Sequence, residues 1–367
     1  MKFEIAKDDF LKSIQKVQAV VERKNTVPLL SNVRIKADSG ILEINATDLE
    51  VGIRDILDAG IKESGSITVS AKKLYEVLKE LPEDTVLFEV ADNNWIHISC
   101  GMAVFKLVGM PDEDYPNLPV FDTEKLISIP IDVLDTLTRK TVYAVSHDEN
   151  RHVLNGVKFT ITADRILMVA TDGHRLSFVD MPNQTGLQEM DIIVPQKGIR
   201  ELQRMIGEGV EEIYFGVMEN HIVFQAGKET VLTRLVDGKF PDYTKVIPET
   251  TQTEILIDKE SLYNSLRRVS LFSDVKVRGV KLEFADNSIQ VTASTPEYGE
   301  AKDQISVDYT GDLFTVGFNV NYLLDLLRTI DTETIKICLN DTSGPAVFEP
   351  TGQEDYHYIA IVMPMII

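Results

Sequence analysis

Residues 170–176 read ATDGHRL and place three side chains that could do chemistry within four positions. Asp172 could act as an acid, His174 as a general base and Arg175 as a clamp for an anion. A hydrolase also requires a positioned nucleophile, and the sequence contains no G-x-S-x-G, P-loop or G-x-G-x-x-G motif. Two interpretations remain open here, a catalytic loop and a loop that binds without chemistry.

A second polar stretch, HDENRH at 147–152, contains residue types that bind metals. His147, Asp148, Glu149 and His152 could be read as ligands. Their mixture with Asn150 and Arg151 is more typical of a solvated turn. The sequence therefore predicts neither a metal nor a cofactor.

The composition is that of a folded protein with more than one domain. A length of 367 residues suits two or three domains, and the 44% hydrophobic and 26% charged contents are ordinary. The N-terminal stretch lacks the apolar core of a signal peptide, and no apolar run approaches the ~18 residues of a membrane span. Cys100 and Cys338 lie in separate strand-like runs, which predicts buried free thiols. We expect a cytoplasmic protein without a membrane partner.

An internal repeat of about 124 residues organises the chain. Three stretches share an alternating apolar run, a polar turn, a second alternating run and a final A-T/S pair. Thr47, Thr171 and Thr295, at the ends of the second runs, are spaced 124 residues apart. The stretches are NVRIKADSGILEINATDLEVGIRD (32–55), GVKFTITADRILMVATDGHRLSFVD (156–180) and GVKLEFADNSIQVTASTPEYGEAKD (279–303).

Two further sets of three segments keep the same order and spacing. Each segment reads as a strand followed by a helix with apolar residues at i, i+3, i+4 and i+7. The segments that begin each copy are 3–17, 127–141 and 255–269, and the later ones are 67–81, 192–206 and 314–330. The fold class predicted is α+β, with two helices and about eight short strands per copy. Pro-rich stretches at 110–122 and 237–250 place the domains at 1–120, 121–247 and 248–367.

The repeat weighs against the catalytic interpretation of ATDGHRL. The first copy reads TDLE and the third STPE where the second reads TDGH. The position is therefore predicted to be structural, with side chains that differ between copies. On this basis the protein is predicted not to be an enzyme.

The net charge of −21 is unevenly distributed. Six predicted helical stretches hold 16 Lys and Arg against 9 Asp and Glu, which leaves 21 against 49 for the rest. A helical surface of this kind could attract a polyanion that the remaining surface repels. The stretches are 10–24, 71–80, 132–142, 196–206, 258–269 and 320–330.

If the helices line a ring, their number sets the size of the hole. Six helices at roughly 8–10 Å spacing leave no useful lumen, whereas twelve leave more than ~20 Å, enough for a duplex. A ring around DNA would therefore need two chains.

The whole chain resembles the bacterial DNA polymerase III β subunit family, the β sliding clamps. The resemblance rests on the threefold repeat and on motifs found in order from end to end. It implies three clamp-type domains, each with two helices on antiparallel sheets, that form half of a head-to-tail homodimeric ring. The ring would slide on duplex DNA without sequence preference and would have no catalytic activity. Its protein partners would be the replicative polymerase, the clamp loader and other clamp-binding-motif proteins. The motifs are NTVPLLSNV (25–33), HVLNGVKF (152–159), VATDGHRL (169–176), LVDGKFPDY (235–243), GFNVNYLLDLL (317–327) and VMPM (362–365).

The resemblance also implies a pocket for partner peptides, with an apolar cleft and polar edges. Val277 departs from the family, where well-known members have phenylalanine, and Ile366 replaces a basic residue. The smaller side chain at 277 is expected to change which peptide residues pack there. The pocket residues carried over are Leu154, Thr171, Gly173, His174, Arg175, Leu176, Pro241, Lys245, Val246, Val277, Ile361, Val362, Met363, Pro364 and Met365.

Two further sets of residues follow from the resemblance. The dimer interface is carried over to Phe105 and Leu107 in the first copy and to Leu271 and Phe272 in the third. DNA contacts resemble loop residues Lys24 and Arg151, and helix residues Lys72, Lys197, Arg200, Arg204, Arg267 and Arg268 could face the duplex. The remaining alternative is a repeat scaffold that binds protein or polysaccharide without encircling DNA.

Overall fold

The computed structural model describes residues 1–21, 27–183 and 188–366. These residues form six α-helices and 25 strands, and all the strand pairs are antiparallel. The helices are α1 (Lys7–Gln18), α2 (Ala71–Glu80), α3 (Ile131–Thr141), α4 (Gln196–Gly207), α5 (Lys259–Ser270) and α6 (Val320–Thr329).

The strands follow the three copies of the repeat. The first copy has β1 (Lys2–Ala6), β2 (Asn32–Asp38), β3 (Ile41–Thr47), β4 (Val51–Asp58), β5 (Gly60–Glu63), β6 (Gly65–Ser70), β7 (Thr85–Val90), β8 (Trp95–Cys100) and β9 (Ala103–Met110). The second has β10 (Ile127–Ile129), β11 (Gly156–Ile161), β12 (Arg165–Thr171), β13 (Arg175–Pro182), β14 (Met190–Pro195), β15 (Ile213–Met218), β16 (His221–Ala226) and β17 (Glu229–Arg234). The third has β18 (Thr253–Asp258), β19 (Gly279–Ala285), β20 (Ser288–Thr295), β21 (Gly299–Ser306), β22 (Phe314–Asn319), β23 (Thr334–Leu339), β24 (Ala346–Pro350) and β25 (His357–Val362). The α+β class and the predicted content of each copy are confirmed.

The helices form where the apolar period places one face against a sheet. The buried residues of α1 include Phe10, Ile14 and Val17, and those of α2 include Leu74, Val77 and Leu78. The predicted stretch 10–24 is longer than the helix, because α1 ends at Gln18 and the β-branched Val20 and Val21 follow it outside the helix.

The chain divides into two compact units, 1–131 with 200–235 and 132–199 with 236–367. The first contains one sheet, in the order β10-β15-β16-β17-β4-β3-β2-β6-β9-β8-β7-β1-β5. The second contains two, β14-β11-β12-β13-β25-β24-β23-β18 and β21-β20-β19-β22. Cys100 and Cys338 are buried free thiols, as predicted. None of the described helices is long and apolar enough to cross a membrane.

Two of the strand pairs join different copies of the repeat. In the first unit β17 of the second copy pairs with β4 of the first, and in the second unit β25 of the third copy pairs with β13 of the second. Strands β4, β13 and β21 begin 124 residues apart and are equivalent. Over the described residues, β21 pairs only with β20, and the side of β9 away from β8 is paired only at Gly109 and Met110. The third equivalent pair is therefore open within one chain.

A buried cation reinforces the contact between the second and third copies. Lys140 at the end of α3 is fully buried; its ammonium donates to the Thr329 carbonyl and to Asp331 Oδ2, the latter at 2.8 Å. Arg139 binds both oxygens of Asp331, at 2.8 and 3.0 Å. The Arg139 guanidinium and the Lys140 ammonium hold the pKa of the Asp331 carboxyl well below its usual range.

Replacing Asp331 by Asn is expected to destabilise the protein by about 1–3 kcal/mol at pH 7, because a buried lysine loses its counter-charge while the half-exposed carboxylate limits the effect. The pKa of Asp331 is lower in the folded state, so its contribution is present above the unfolded pKa and is lost as the pH falls below about 5. Denaturant unfolding of wild type and variant from pH 7 to pH 3 measures this difference. A difference that stays constant over this range, or an equal effect of Asp355→Asn at an exposed position, would contradict the prediction.

Candidate functional site

The ATDGHRL loop is a turn between β12 and β13 whose polar groups bond to its own backbone. Thr171 Oγ1 donates to the Arg175 carbonyl at 2.7 Å and accepts from the Gly173 N–H at 3.1 Å. Asp172 Oδ1 accepts from the N–H groups of His174 and Arg175, at 2.9 and 3.0 Å. Gly173 has φ +88°, a left-handed conformation that favours glycine. The Asp172 carboxylate thus closes the turn.

The equivalent turn of the first copy has the same bonds with different residues. Thr47 Oγ1 donates to the Val51 carbonyl at 2.9 Å and accepts from the Leu49 N–H at 3.0 Å. Asp48 Oδ1 accepts from the N–H groups of Glu50 and Val51, at 2.9 and 2.7 Å. Leu49 takes φ +76° where the second copy has Gly173. The Thr-Asp pair is therefore a structural device of the repeat.

Arg175 is held away from solvent by charges and rings. Its Nε lies 3.0 Å from Asp172 Oδ2, and its Nη1 donates to Asp325 Oδ2 at 2.8 Å. The guanidinium lies over the rings of Tyr322 and Tyr143, at 4.5 and 5.4 Å from their centroids. A buried, doubly paired guanidinium cannot clamp a substrate anion, so the catalytic interpretation is wrong on this geometry. The sequence pattern contained no signal for Asp325 or Tyr322 as its partners.

The HDENRH stretch forms a 3₁₀ segment, Glu149–Leu154, beside this turn. Asp148 Oδ1 accepts from the Asn150 N–H at 3.0 Å, and this bond lowers the pKa of the Asp148 carboxyl. Arg151 Nη1 donates to the Asp172 carbonyl at 3.0 Å. Across the described residues no group of three or more His, Cys, Asp or Glu is arranged to hold a metal ion.

An apolar cluster joins the second copy, the following linker and the end of the chain. Leu154 and Leu176 of the second copy and Ile361 of β25 belong to it. The sequence prediction missed the other members, although LVDGKFPDY contains three of them, Val236, Phe240 and Tyr243. Ile247 and Val347 are two more. The structure thus brings together three of the predicted pocket residues from separate parts of the chain.

The end of the chain is fixed against both the second and the third copies. The Met363 N–H donates to the His174 carbonyl at 2.8 Å, and the Met365 N–H donates to the Gly317 carbonyl at 2.9 Å. Met363, Pro364 and Met365 are half-buried, whereas Ile366 is fully exposed. An adaptable apolar strip with methionines therefore lies next to the TDGH turn.

The other predicted pocket residues differ in their surroundings. Thr171 is half-buried, Gly173 and His174 are exposed at the turn, and Val362 is buried in β25. Pro241, Lys245 and Val246 are exposed in the linker, where Lys245 lies 3.4 Å from Asp242. Val277 is half-exposed on the segment after α5 and lies outside the buried apolar cluster.

The residues predicted for the dimer interface are all at least partly exposed. Phe105 and Leu107 are half-buried on β9, where the strand edge is open. Leu271, directly after α5, is exposed, and Phe272 is half-buried. None of the four is ordinary buried core.

The cations predicted for DNA contact fall into three groups. Lys72, Lys197, Arg200 and Arg267 are exposed on helices, and Arg151 is half-exposed at the TDGH turn. Arg204 is instead surrounded by Glu201, Glu208 and Glu229. Burial lowers the pKa of the Arg204 guanidinium, but the hydrogen bonds to Glu229 and Glu201 outweigh this effect and raise the pKa. Arg268 binds Asp303. Lys24 lies outside the described residues.

The repeated turns and the apolar cluster are structural features of a repeat scaffold, and comparison with known proteins specifies its class. Three family models match in series: the DNA polymerase III beta subunit N-terminal domain over 1–119, the central domain over 128–242 and the C-terminal domain over 244–366. A beta sliding clamp of Pseudomonas putida is 35% identical over 370 residues, with 100% of both chains covered.

Solved structures agree with this match. The DNA polymerase III subunit beta of Pseudomonas aeruginosa gives a TM-score of 0.91 at 33% identity, with full coverage of both chains. The DNA polymerase sliding clamp of Bacillus subtilis gives 0.92 at 28% identity, covering 100% of this chain and 99% of that one. The chain therefore belongs to the DNA polymerase III beta subunit family. It is a processivity factor of DNA replication built of clamp domains, and it is not an enzyme.

The paired turns predict opposite effects of substitutions at Gly173 and Leu49. Gly173→Ala is expected to cost about 1 kcal/mol, because a Cβ is strained at φ +88°. Leu49→Gly, at the same point of the first copy, is expected to be neutral or stabilising by up to about 1 kcal/mol. Denaturant unfolding of the two variants measures both signs, and equal destabilisation would contradict a shared turn geometry.

Proposed function

We propose that two copies of this chain close a head-to-tail ring around duplex DNA and hold the replicative polymerase on it. The observation that carries the proposal is the third strand pair of the repeat, which is open within one chain. Its two halves are β9 of the first copy and β21 of the third. A second copy can supply each missing half, and a head-to-tail interface that closes gives a ring.

The repeat also gives the register of the proposed pair. Ile53 pairs with Val231 at the first junction and Ser177 pairs with Ala360 at the second. Val231, Ala360 and Phe105 are equivalent, since each lies opposite the same position of the preceding strand, at Phe224, Phe348 and Ile98. The equivalent of Ile53 and Ser177 in the third copy is Ala301.

Phe105 is thus placed opposite Ala301 of the partner subunit, and Lys106 opposite Glu300 of the partner subunit. Opposite charges directly across an antiparallel pair favour it. The exposed Leu271 and half-buried Phe272 would add apolar area to the seam. This arrangement supports three domains per chain, at 1–120, 121–247 and 248–367, and six per ring.

The exposed helix cations suit a sliding contact. Lys72, Lys197, Arg200 and Arg267, with Arg151, would attract phosphates without reading bases. Contacts of this kind exchange easily, so the ring would move along the duplex without sequence preference. The site of action is the cytoplasm. A repeat scaffold that binds protein or polysaccharide without encircling DNA is the alternative, and it requires no closed seam.

Retention on DNA of two topologies tests the ring. After loading with the clamp loader and ATP, we expect the protein to stay on nicked circular DNA and to run off linear duplex with free ends. The Phe105→Asp variant is expected to elute as a monomer, and it should therefore be retained on neither the circular nor the linear DNA. Equal loss of wild type from circle and line would refute encirclement and favour the scaffold alternative.

We further propose that the cleft beside the TDGH turn holds the short motifs of partner proteins. The apolar cluster around Leu154, Leu176 and Ile361 is continuous in sequence with the half-buried Met363–Met365 strip, and the linker adds Pro241 and Val246 at the edge. The exposed His174 and Gly173 would orient the peptide backbone. The polymerase, the clamp loader and other motif-bearing proteins would bind here.

Deleting Met363–Ile367 should abolish peptide binding and leave the dimer intact, because Met363, Pro364 and Met365 lie beside the TDGH turn and not in β9 or β21. Fluorescence anisotropy with a labelled polymerase peptide measures the first effect, and sizing measures the second. Leu313→Ala, at an exposed apolar residue of the loop before β22, is the matched control and should bind normally. Unchanged affinity after the deletion would overturn the assignment.

A further inference from the structure

A cation occupies the same position of the first helix in each copy. The aligned segments 3–16, 127–140 and 255–268 each contain 14 residues and end in Lys16, Lys140 and Arg268. Each residue lies in the last turns of its helix, on α1, α3 and α5. The three cations are therefore equivalent within the repeat.

In two of the copies, the cation is covered by a carboxylate of the following copy. Lys16 Nζ lies 2.8 Å from Glu229 and 3.5 Å from Glu208, both of the second copy. Lys140 Nζ lies 2.8 Å from Asp331 of the third copy. Their side chains are 26% and 0% exposed.

Over the part of the chain that the structure describes, the third cation, Arg268, is paired only with a carboxylate of its own copy. Arg268 binds Asp303 of its own copy, which is equivalent to Asp55 beside Lys16. Its side chain is 63% exposed, more than twice the exposure of Lys16. Within residues 1–21, 27–183 and 188–366, no carboxylate equivalent to Glu208 or Asp331 lies beside Arg268.

The first copy has an acid at the equivalent place. Glu208 and Asp331 lie directly beyond the ends of α4 and α6, and α2 is followed by the exposed Glu83 and Asp84. The turns after α2 and α6 make the same backbone bond, from the Lys7 N–H to the Asp84 carbonyl and from the Lys259 N–H to the Glu333 carbonyl. Counting back from these bonded residues, Pro82 takes the place of Asp331, and Glu83 is the acid next to it. The offset of 125 residues between segments 67–81 and 192–206 places Glu83 at the position of Glu208.

We infer that Arg268 of one protomer forms an ion pair with Glu83 of the partner subunit at the proposed seam. The inference rests on the head-to-tail dimer proposed above, and it removes Arg268 from the expected DNA contacts. Leu271 and Phe272 follow Arg268 by three and four residues, which places the cation beside the apolar part of the same seam. An Arg side chain can bind both Glu83 of the partner subunit and its own Asp303, as Arg204 binds three carboxylates.

Charge exchange in mixed dimers tests the pair. Arg268→Glu and Glu83→Arg homodimers each have two mismatched seams, and we expect a dimer dissociation constant raised about tenfold or more. When the two variants are mixed with different tags, the heterodimer has one exchanged pair and one native pair. We therefore expect heterodimers well above the statistical half, measured by tag pull-down after subunit exchange.

The controls separate this inference from the proposed dimer. Arg267→Glu reverses the adjacent exposed cation and should mix statistically with Glu83→Arg. Thermal unfolding of each variant checks that the fold is kept. A wild-type dimer with only statistical mixing of Arg268→Glu and Glu83→Arg would overturn the ion pair alone, whereas a monomeric wild type would overturn the dimer itself.

Discussion

Antiparallel pairing between strands of different copies is the constraint on which the rest of the structure depends. A β edge exposes unpaired N–H and carbonyl groups, and a protein must cover such an edge or use it. Each copy has one strand equivalent to β4 and one equivalent to β9, so copies in series satisfy all but the outermost pair. Within the described residues, one strand of each of these two kinds, β21 and β9, is therefore left without its partner from another copy.

The charges at the junctions follow the same logic. Lys16 and Lys140 lie where one copy meets the next, and each loses solvent there. Taking a cation out of water is costly unless a carboxylate pairs with it, which Glu229 and Asp331 do. Such pairs add less to stability than to the choice of partner, because an incorrect alignment would leave a buried charge alone. Strand pairing thus sets the register of a junction, and the ion pair makes any other register less stable.

The repeat and the apolar periodicity were sufficient to predict the α+β class, two helices per copy and the buried cysteines. They could not predict that Arg175 is buried, because its partners Tyr322 and Asp325 lie about 150 residues away in the third copy. The sequence could not predict that Arg204 is paired for the same reason, because its partner Glu229 lies in a strand 25 residues further on. Local pattern identifies which face of a helix is charged, but only the tertiary fold decides which charges remain available.

The TDGH turn shows how one scaffold position takes different surroundings in a single copy. All three copies place a threonine there, and the first two close the turn with Thr and Asp in the same bonds. Leu49 and Gly173 take nearly the same conformation, so the difference is not in the backbone. The two turns differ in their surroundings. The second copy is followed by the linker that contains Phe240 and Tyr243. Its strand β13 also pairs with β25, which leads into Met363. The first copy's β4 pairs instead with β17, which leads on into the following linker and is not the end of the chain. The proposed cleft thus requires a turn, a linker and the Met363–Met365 segment together, and within the described residues the order of the three copies supplies that combination only once.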